Sequence, residues 1–273
     1  MTAMKRKNRI RLITGRSLLH IASVILPAAI LVAGPALQAK ENDALSILKA
    51  MSQYVGQQSV IELTFDSAIE VITPQLEKIQ FTNSGGALLS RPDKLRAHRL
   101  AGHSDVSLYF DGKTVSGYGK GANGYAQFDG PASVDQLIDA LSVGHGIALP
   151  GADLLRSQSY DALAADVIEA KYIGRAVIDD RECEHLAFRN FDTDWQLWVE
   201  AGERPIPRKM VITSKTINSA PQYTLRIKEW RTGVTLEPGV FSFTAPAGAQ
   251  QLSADALVQF DELPPGAPAG GNQ

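Results

Sequence analysis

Period-two alternation of apolar and polar residues dominates two stretches of the chain, and helical spacing dominates the segments before and between them. The first stretch holds six strand-like runs, at 60–72, 78–90, 95–101, 106–110, 114–119 and 125–128. Turn residues separate them, including Arg91-Pro92-Asp93, Gly102-His103-Ser104 and Asp111-Gly112, which is the pattern of a β-meander. The second stretch holds six more runs, at 167–179, 183–191, 194–200, 208–215, 222–230 and 239–245.

The helical segments are shorter. In 42–56, Ala44, Ile47, Leu48, Met51, Tyr54 and Val55 fall at helical spacing, with Asp43 placed to cap the start and Gly56 to end it. Between the two β stretches, 133–144 puts Val134, Leu137, Ile138 and Leu141 on one face. Ser133 and Gln136 have the spacing of a capping box. Segments 149–157, with Leu154 and Leu155, and 159–166 predict two further short helices.

Short turns imply antiparallel pairing throughout. A sheet of about twelve strands has to curl or close. The amphipathic helices can bury their apolar faces only against its concave side. The expected class is α+β, mostly antiparallel β. The expected architecture is a curved, unclosed half-barrel, with an N-terminal helix and a helical insertion covering the concave face around an apolar cavity.

Charge changes the picture at the N-terminus. Lys5, Arg6, Lys7, Arg9, Arg11 and Arg16 precede an apolar run from Leu18 to Gly34, and Leu37-Gln38-Ala39 offers a small-residue cleavage pattern. Residues 1–39 therefore read as a secretory signal. His20 and Pro27 interrupt the run, which favours cleavage near Ala39 over retention as an anchor. Arg9 and Arg11 are not adjacent, which points to the general export route. The whole chain has 27 Lys+Arg and 29 Asp+Glu. Without the six bases of the signal, 21 face 29, a net charge of −8. Such a chain is a poor partner for nucleic acid and for anionic lipid head groups. Residues 40–262 form one domain, and the Pro/Gly-rich tail 263–273 reads as disordered.

Candidate chemistry is sparse. Gly112-Lys113-Thr114 ends a phosphate-loop pattern, but Ser107 stands where the pattern needs glycine, and 114–119 alternates as a strand rather than opening a helix. Asp111-Gly112 is a hairpin turn. Cys183, the single cysteine, leaves no internal disulfide and no lipid-modified cysteine after the signal. Cys183 and His185 share a strand face but sit about 7 Å apart, long for direct proton transfer, and no Asn or Asp partner is evident. His98, His103, His145 and His185 lack metal-ligand spacing. Asp192 and Asp194 lack a full calcium loop around them. No catalytic residue, metal or cofactor is expected. Trp195, Leu197 and Val199 share one face, with Trp198 opposite. Trp195 joins Leu137, Ile138, Leu141, Leu154 and Leu155 as candidate cavity and lid residues.

"LLSRPDKLRAHR" followed by "SLYFDGKTVSGYGK" resembles the strand–Arg-Pro–strand–DGK–strand signature of the LolA/LolB-like lipoprotein-carrier superfamily. "VFSFTAPAGA" (240–249) resembles the last strand and the Phe-Thr-x-Pro-x-Gly close of those carriers. "GIALPGADLL", "CEHLAF", "DWQLWVE" and "RPIPRKMVIT" resemble a family of predicted proteobacterial periplasmic proteins within that superfamily. The resemblance implies an unclosed barrel with a helical lid over a hydrophobic cavity, which in the carriers holds acyl chains. It also implies that the arginine of the Arg-Pro step, here Arg91, bonds lid backbone and gates the lid. The function expected is a periplasmic carrier for a lipid, a lipoprotein acyl chain or another hydrophobic ligand, acting as a monomer, with an outer-membrane or envelope protein as a further partner. The alternative is an envelope protein-interaction or stress-sensing module whose cavity its own side chains fill.

Overall fold

The computed structural model describes residues 35–147 and 149–254. Most of the expected signal sequence (1–34) and the tail 263–273 lie outside the described residues. Helix α1 (Pro35–Gln57) opens the domain, earlier than Asp43, so Ala39 falls within its first turns. It continues to Gln57. Ala44, Leu48, Met51 and Val55, spaced four, three and four apart, are fully buried. Burying a Leu, Met or Val side chain contributes roughly 1.5–3 kcal/mol, which seats the helix.

Six strands follow as a meander: β1 (Val60–Ile72), β2 (Lys78–Ser90), β3 (Lys94–Ala101), β4 (Asp105–Phe110), β5 (Thr114–Gly119) and β6 (Gly124–Asp129). The Asp111 carboxylate accepts from the backbone N–H of Lys113 and Thr114, both at 2.9 Å, and closes the β4–β5 hairpin. The helical insertion holds α2 (Val134–Asp139), a π-helical turn (Ala140–Gly144), a 3₁₀ turn (Ala152–Leu155) and α3 (Ser159–Ala164). Strands β7 (Glu169–Ile178), β8 (Arg181–Arg189), β9 (Thr193–Glu200), β10 (Pro207–Ser214) and β11 (Gln222–Thr232) form a second meander. A short β12 (Gln250–Leu252) ends the sheet.

All twelve strands form one sheet, in the order β12-β6-β5-β4-β3-β2-β1-β11-β10-β9-β8-β7. The two meanders join where β1 pairs antiparallel with β11, with a bulge at Thr64/Phe65. Among the described residues no ladder closes the ends, so the curl is a half-barrel. Helix α1 packs on β7, β8 and β9.

Two expectations need correction. Residues 239–245 form no strand. Pro238 and Pro246 flank the segment and cannot donate to a ladder. Phe243 instead packs among Tyr109, Tyr118 and Tyr125, with ring centroids 5.3–6.0 Å away. Pairing is also not antiparallel throughout: β12 runs parallel to β6, with Gln250 opposite Gly124. The insertion departs in detail as well. The helix expected over 133–144 is α-helical only to Asp139, and 149–157 yields a single 3₁₀ turn.

Candidate functional site

The insertion is a lid, held by local caps and by bonds to distant elements. Ser133 Oγ accepts from the Gln136 N–H at 3.2 Å and caps α2. Gln136 Oε1 reaches back to the N–H of Ala132 at 3.0 Å rather than to that of Ser133. Ser142 Oγ donates to the Ile138 carbonyl at 2.8 Å, where α2 passes into the π-helical turn. Gly151 has φ of 82° and opens the 3₁₀ turn; a Cβ there would stand 2.7 Å from Leu225 Cδ2, so glycine lets the lid lie against β11. Ser52 of α1 is buried and accepts from Ser159 Oγ at 2.8 Å and from the Tyr160 N–H at 2.7 Å, which pins α3 to α1.

Between lid and sheet lies a cavity of about 220 Å³. Its floor includes Leu63 and Phe65 of β1, Leu95 and Ala97 of β3, Leu108 of β4 and Leu225 of β11. Its roof includes Leu137, Ile138, Leu141, Leu154 and Leu155. These five sequence-predicted residues therefore meet on one wall. Trp195 does not join them. It is buried in the part of the core near α1, its ring stacked on Phe188 at 4.0 Å and its Nε1 donating to Asn190 Oδ1 at 3.0 Å.

Arg91 lies in the turn between β2 and β3, before a cis Arg91–Pro92 bond. Its Nη2 donates to the Leu155 carbonyl at 2.7 Å and its Nε to the Gln58 carbonyl at 3.2 Å. Burial pulls its pKa down, and Asp135 at 3.9 Å opposes that pull. The Val134 N–H donates to the Pro92 carbonyl at 2.9 Å, so the same turn also holds the start of α2. A second arginine ties the lid internally. Arg156 bonds Asp153 at 2.6 Å, Asp139 at 2.7 Å and the Asp135 carbonyl at 3.1 Å. Burial acts against its charge, and the bonds to Asp139 and Asp153 raise its pKa regardless.

The remaining candidates separate. Cys183 is buried, its Sγ directed to the Arg181 carbonyl at 3.6 Å, and burial pushes its pKa up, with Glu200 adding to the shift. His185 stacks on Trp198 at 4.2 Å and bonds Gln196 at 2.9 Å. A thiol held protonated is a poor nucleophile. Asp194 pairs with Arg189 at 3.0 Å and Lys215 at 3.4 Å. Among the described residues no cluster of three or more His, Cys, Asp or Glu is placed to hold a metal, and no helix is long and apolar enough to cross a membrane.

Phe65 and Arg99 line the cavity and were not singled out by sequence. The signal was present in β3, where Leu95, Ala97 and Arg99 alternate onto one face.

Fold and site define an unclosed, mostly antiparallel half-barrel with a helical lid over an apolar cavity. The family model described as "Predicted periplasmic protein (DUF2092)" matches residues 44–254, and the chain belongs to that family. No curated protein sequence matches the chain. Solved structures similar to it include an uncharacterized conserved protein from Thermus thermophilus, at 12% identity, TM-score 0.47, covering 77% of this chain and 99% of that one. LprF from Mycobacterium bovis is similar at 14% identity, TM-score 0.43, covering 72% and 96%. A LolA superfamily protein from Nitrosomonas europaea is similar at 12% identity, TM-score 0.35, covering 73% and 97%.

Proposed function

We propose that the protein is an exported periplasmic binding protein that carries a hydrophobic ligand, an acyl chain or similar amphiphile, beneath its lid. The signal of residues 1–39 directs export and is cleaved near Ala39. The observation that carries this reading is the cavity of about 220 Å³ between the leucine-rich roof and the apolar concave face. An apolar cavity of roughly 150 Å³ already stays dry and accepts a small aromatic ring. Each buried CH₂ contributes about 0.8 kcal/mol, so one acyl segment gains useful affinity here. The space suits one segment rather than several chains. The interaction-module alternative calls for a cavity filled by side chains, and the open volume favours the carrier.

Release follows from lid movement. Arg91 holds the 3₁₀ turn of the lid through the Leu155 carbonyl, and Pro92 holds the first residue of α2. Breaking these bonds uncovers the roof residues and lets the ligand leave.

The test is a native mass spectrum of the protein purified from periplasm without detergent, beside an organic extract. A bound acyl lipid is expected. It is lost in the double variant Leu137→Asp/Leu141→Asp, and in Ala97→Trp, which fills the cavity from the sheet side. A bare protein mass with no uptake of added fatty acid or lipopeptide overturns the proposal.

A further inference from the structure

The tip of the lid, residues 140–147, is apolar and uncharged. From Ala140 to Ala152 the sequence holds no Asp, Glu, Lys or Arg, in a chain that is 21% charged. Val143, in this tip, is 87% exposed, the most exposed large apolar side chain among the described residues. The backbone bonds of the tip close on the tip itself, from the His145 N–H to the Ala140 carbonyl at 3.1 Å and from the Ile147 N–H to the Leu141 carbonyl at 3.0 Å. The tip meets the sheet at Phe128 of β6, whose half-buried ring has its centroid 4.7 Å from that of His145. Leu141 and Ile147, on either side of His145, line the cavity. Whatever rests on this tip therefore bears on access to the cavity.

The end of the sheet leads a second apolar segment to the same place. Strand β12 runs parallel to β6, with Leu252 opposite Ala126. The ladder stops there, and among the described residues no strand pairs with residues 127–129 on that side. Because the two strands are parallel, the chain leaves β12 toward the Phe128 end of β6, two residues or about 7 Å further on. The described residues end at Ala254. Next in sequence come Leu257, Val258 and Phe260, five to eight residues past Leu252. At about 3.3 Å per extended residue, even the first of them has more than enough chain to cover that gap. Asp255, Asp261 and Glu262 flank the run, and the uncharged tip sets no carboxylate against them.

We infer that Leu257, Val258 and Phe260 dock on the lid tip, over Val143 and beside Phe128 and His145, and latch the lid to the end of β6. Docking removes apolar area from water on both sides, on the tail and at Val143. A segment tethered by a few residues acts at a high effective concentration, so a small contact suffices. The latch holds the tip down over Leu141 and Ile147, and the lid sheds it to open. This inference stands apart from the carrier reading: it concerns what holds the lid, and its test uses no ligand.

Hydrogen exchange of the full exported chain reads the latch. In Leu257→Asp/Phe260→Asp the bonded amides of His145 and Ile147 are expected to exchange about tenfold faster than in wild type, while those of α1 keep their rates. Val143→Asp, a change at an exposed position, produces the same acceleration. All three changes together produce no more than either variant alone, because each already breaks the one contact. Diluting wild type about a hundredfold changes nothing, as befits a contact within one chain. Unchanged exchange of His145 and Ile147 in Leu257→Asp/Phe260→Asp overturns the inference. So do accelerations that add in full, which place the two segments apart. Exchange that quickens when wild type is diluted also overturns it, and assigns the lid tip to a second copy of the chain.

Discussion

The guanidinium of Arg91 donates to the carbonyl of Leu155 at 2.7 Å, across 64 residues of sequence. One turn of the meander thus holds the 3₁₀ turn of the insertion, Ala152–Leu155. The adjacent Pro92 carbonyl accepts from the Val134 N–H at 2.9 Å and holds the near end. The roof of the cavity hangs between these two points, and its leucines are positioned by a turn that touches none of the cavity itself.

Arg91→Ala leaves the Gln58 and Leu155 carbonyls without their donor. Removing one partner of a partly buried bond of this kind costs about 1–3 kcal/mol. Amide hydrogen exchange across 149–157 is expected to quicken, while the buried half of α1 keeps its protection. Arg91→Lys recovers part of the loss, because an ammonium lacks the fork that serves two carbonyls at once. Exchange mass spectrometry with a thermal melt checks both. Unchanged exchange in the lid would mean that Arg91 does not hold it.

Stability and cavity can be separated by two leucines. Leu48 of α1 and Leu154 of the lid are both fully buried, but only Leu154 lines the cavity. Each change to alanine is expected to cost about 2–5 kcal/mol, read as a lower urea midpoint at unchanged slope. Only Leu154→Ala enlarges the cavity and alters ligand affinity.

Much of this was legible in the sequence because alternation was regular. In β9, the buried Trp195, Leu197 and Val199 alternate with half-buried neighbours, and the strand lies as expected. The same alternation misled at Val240–Phe243, where the pattern marks one aromatic ring docking on Tyr109, Tyr118 and Tyr125 rather than a ladder. Strand β12 carries no signal, since Gln250, Gln251 and Leu252 are all exposed. Pairing lid residues with a sheet face depends on which helix covers which half. Alternation cannot tell the part of the sheet under α1 from the part under the lid, and so it does not show that Trp195 stays outside the cavity those residues line. Arg99 lines the cavity as a charge in the row of Leu95 and Ala97, a position that apolar alternation does not mark.

Gly85→Ala is expected to destabilise the protein more than an exposed strand glycine would. The new methyl meets the Phe65 ring and the His98 carbonyl oxygen at once. The ring can rotate away, but the carbonyl belongs to the β2–β3 ladder and cannot. Overpacking of this kind costs about 1–3 kcal/mol. Phe65 displaced from Gly85 moves into the cavity it lines, so laurate uptake falls along with the melting temperature. A variant as stable as wild type would show that β2 and β3 yield easily at this point.

Alkaline pH should weaken the fold through Cys183. Its ordinary pKa is about 9.0, and burial followed by the Glu200 charge raises it in the folded state. Below about pH 9 the thiol is protonated in both states and contributes no slope. Above it the unfolded chain loses the proton while the folded chain keeps it. Stability then falls as pH rises, by up to about 1.4 kcal/mol per pH unit, until the raised folded pKa is passed. Tyr172, raised by donating to Glu184 at 2.6 Å, adds the same sign from its ordinary value of about 10.0. Urea midpoints taken from about pH 8 to about pH 10.5 are expected to decline in wild type. The decline is shallower in Cys183→Ala, although that variant starts from a lower stability because a buried side chain is truncated. Equal slopes in the two proteins would show that the thiol ionises alike in the folded and unfolded states. A thiol reagent gives the independent reading: no reaction with the native protein at pH about 8, and one equivalent on unfolding.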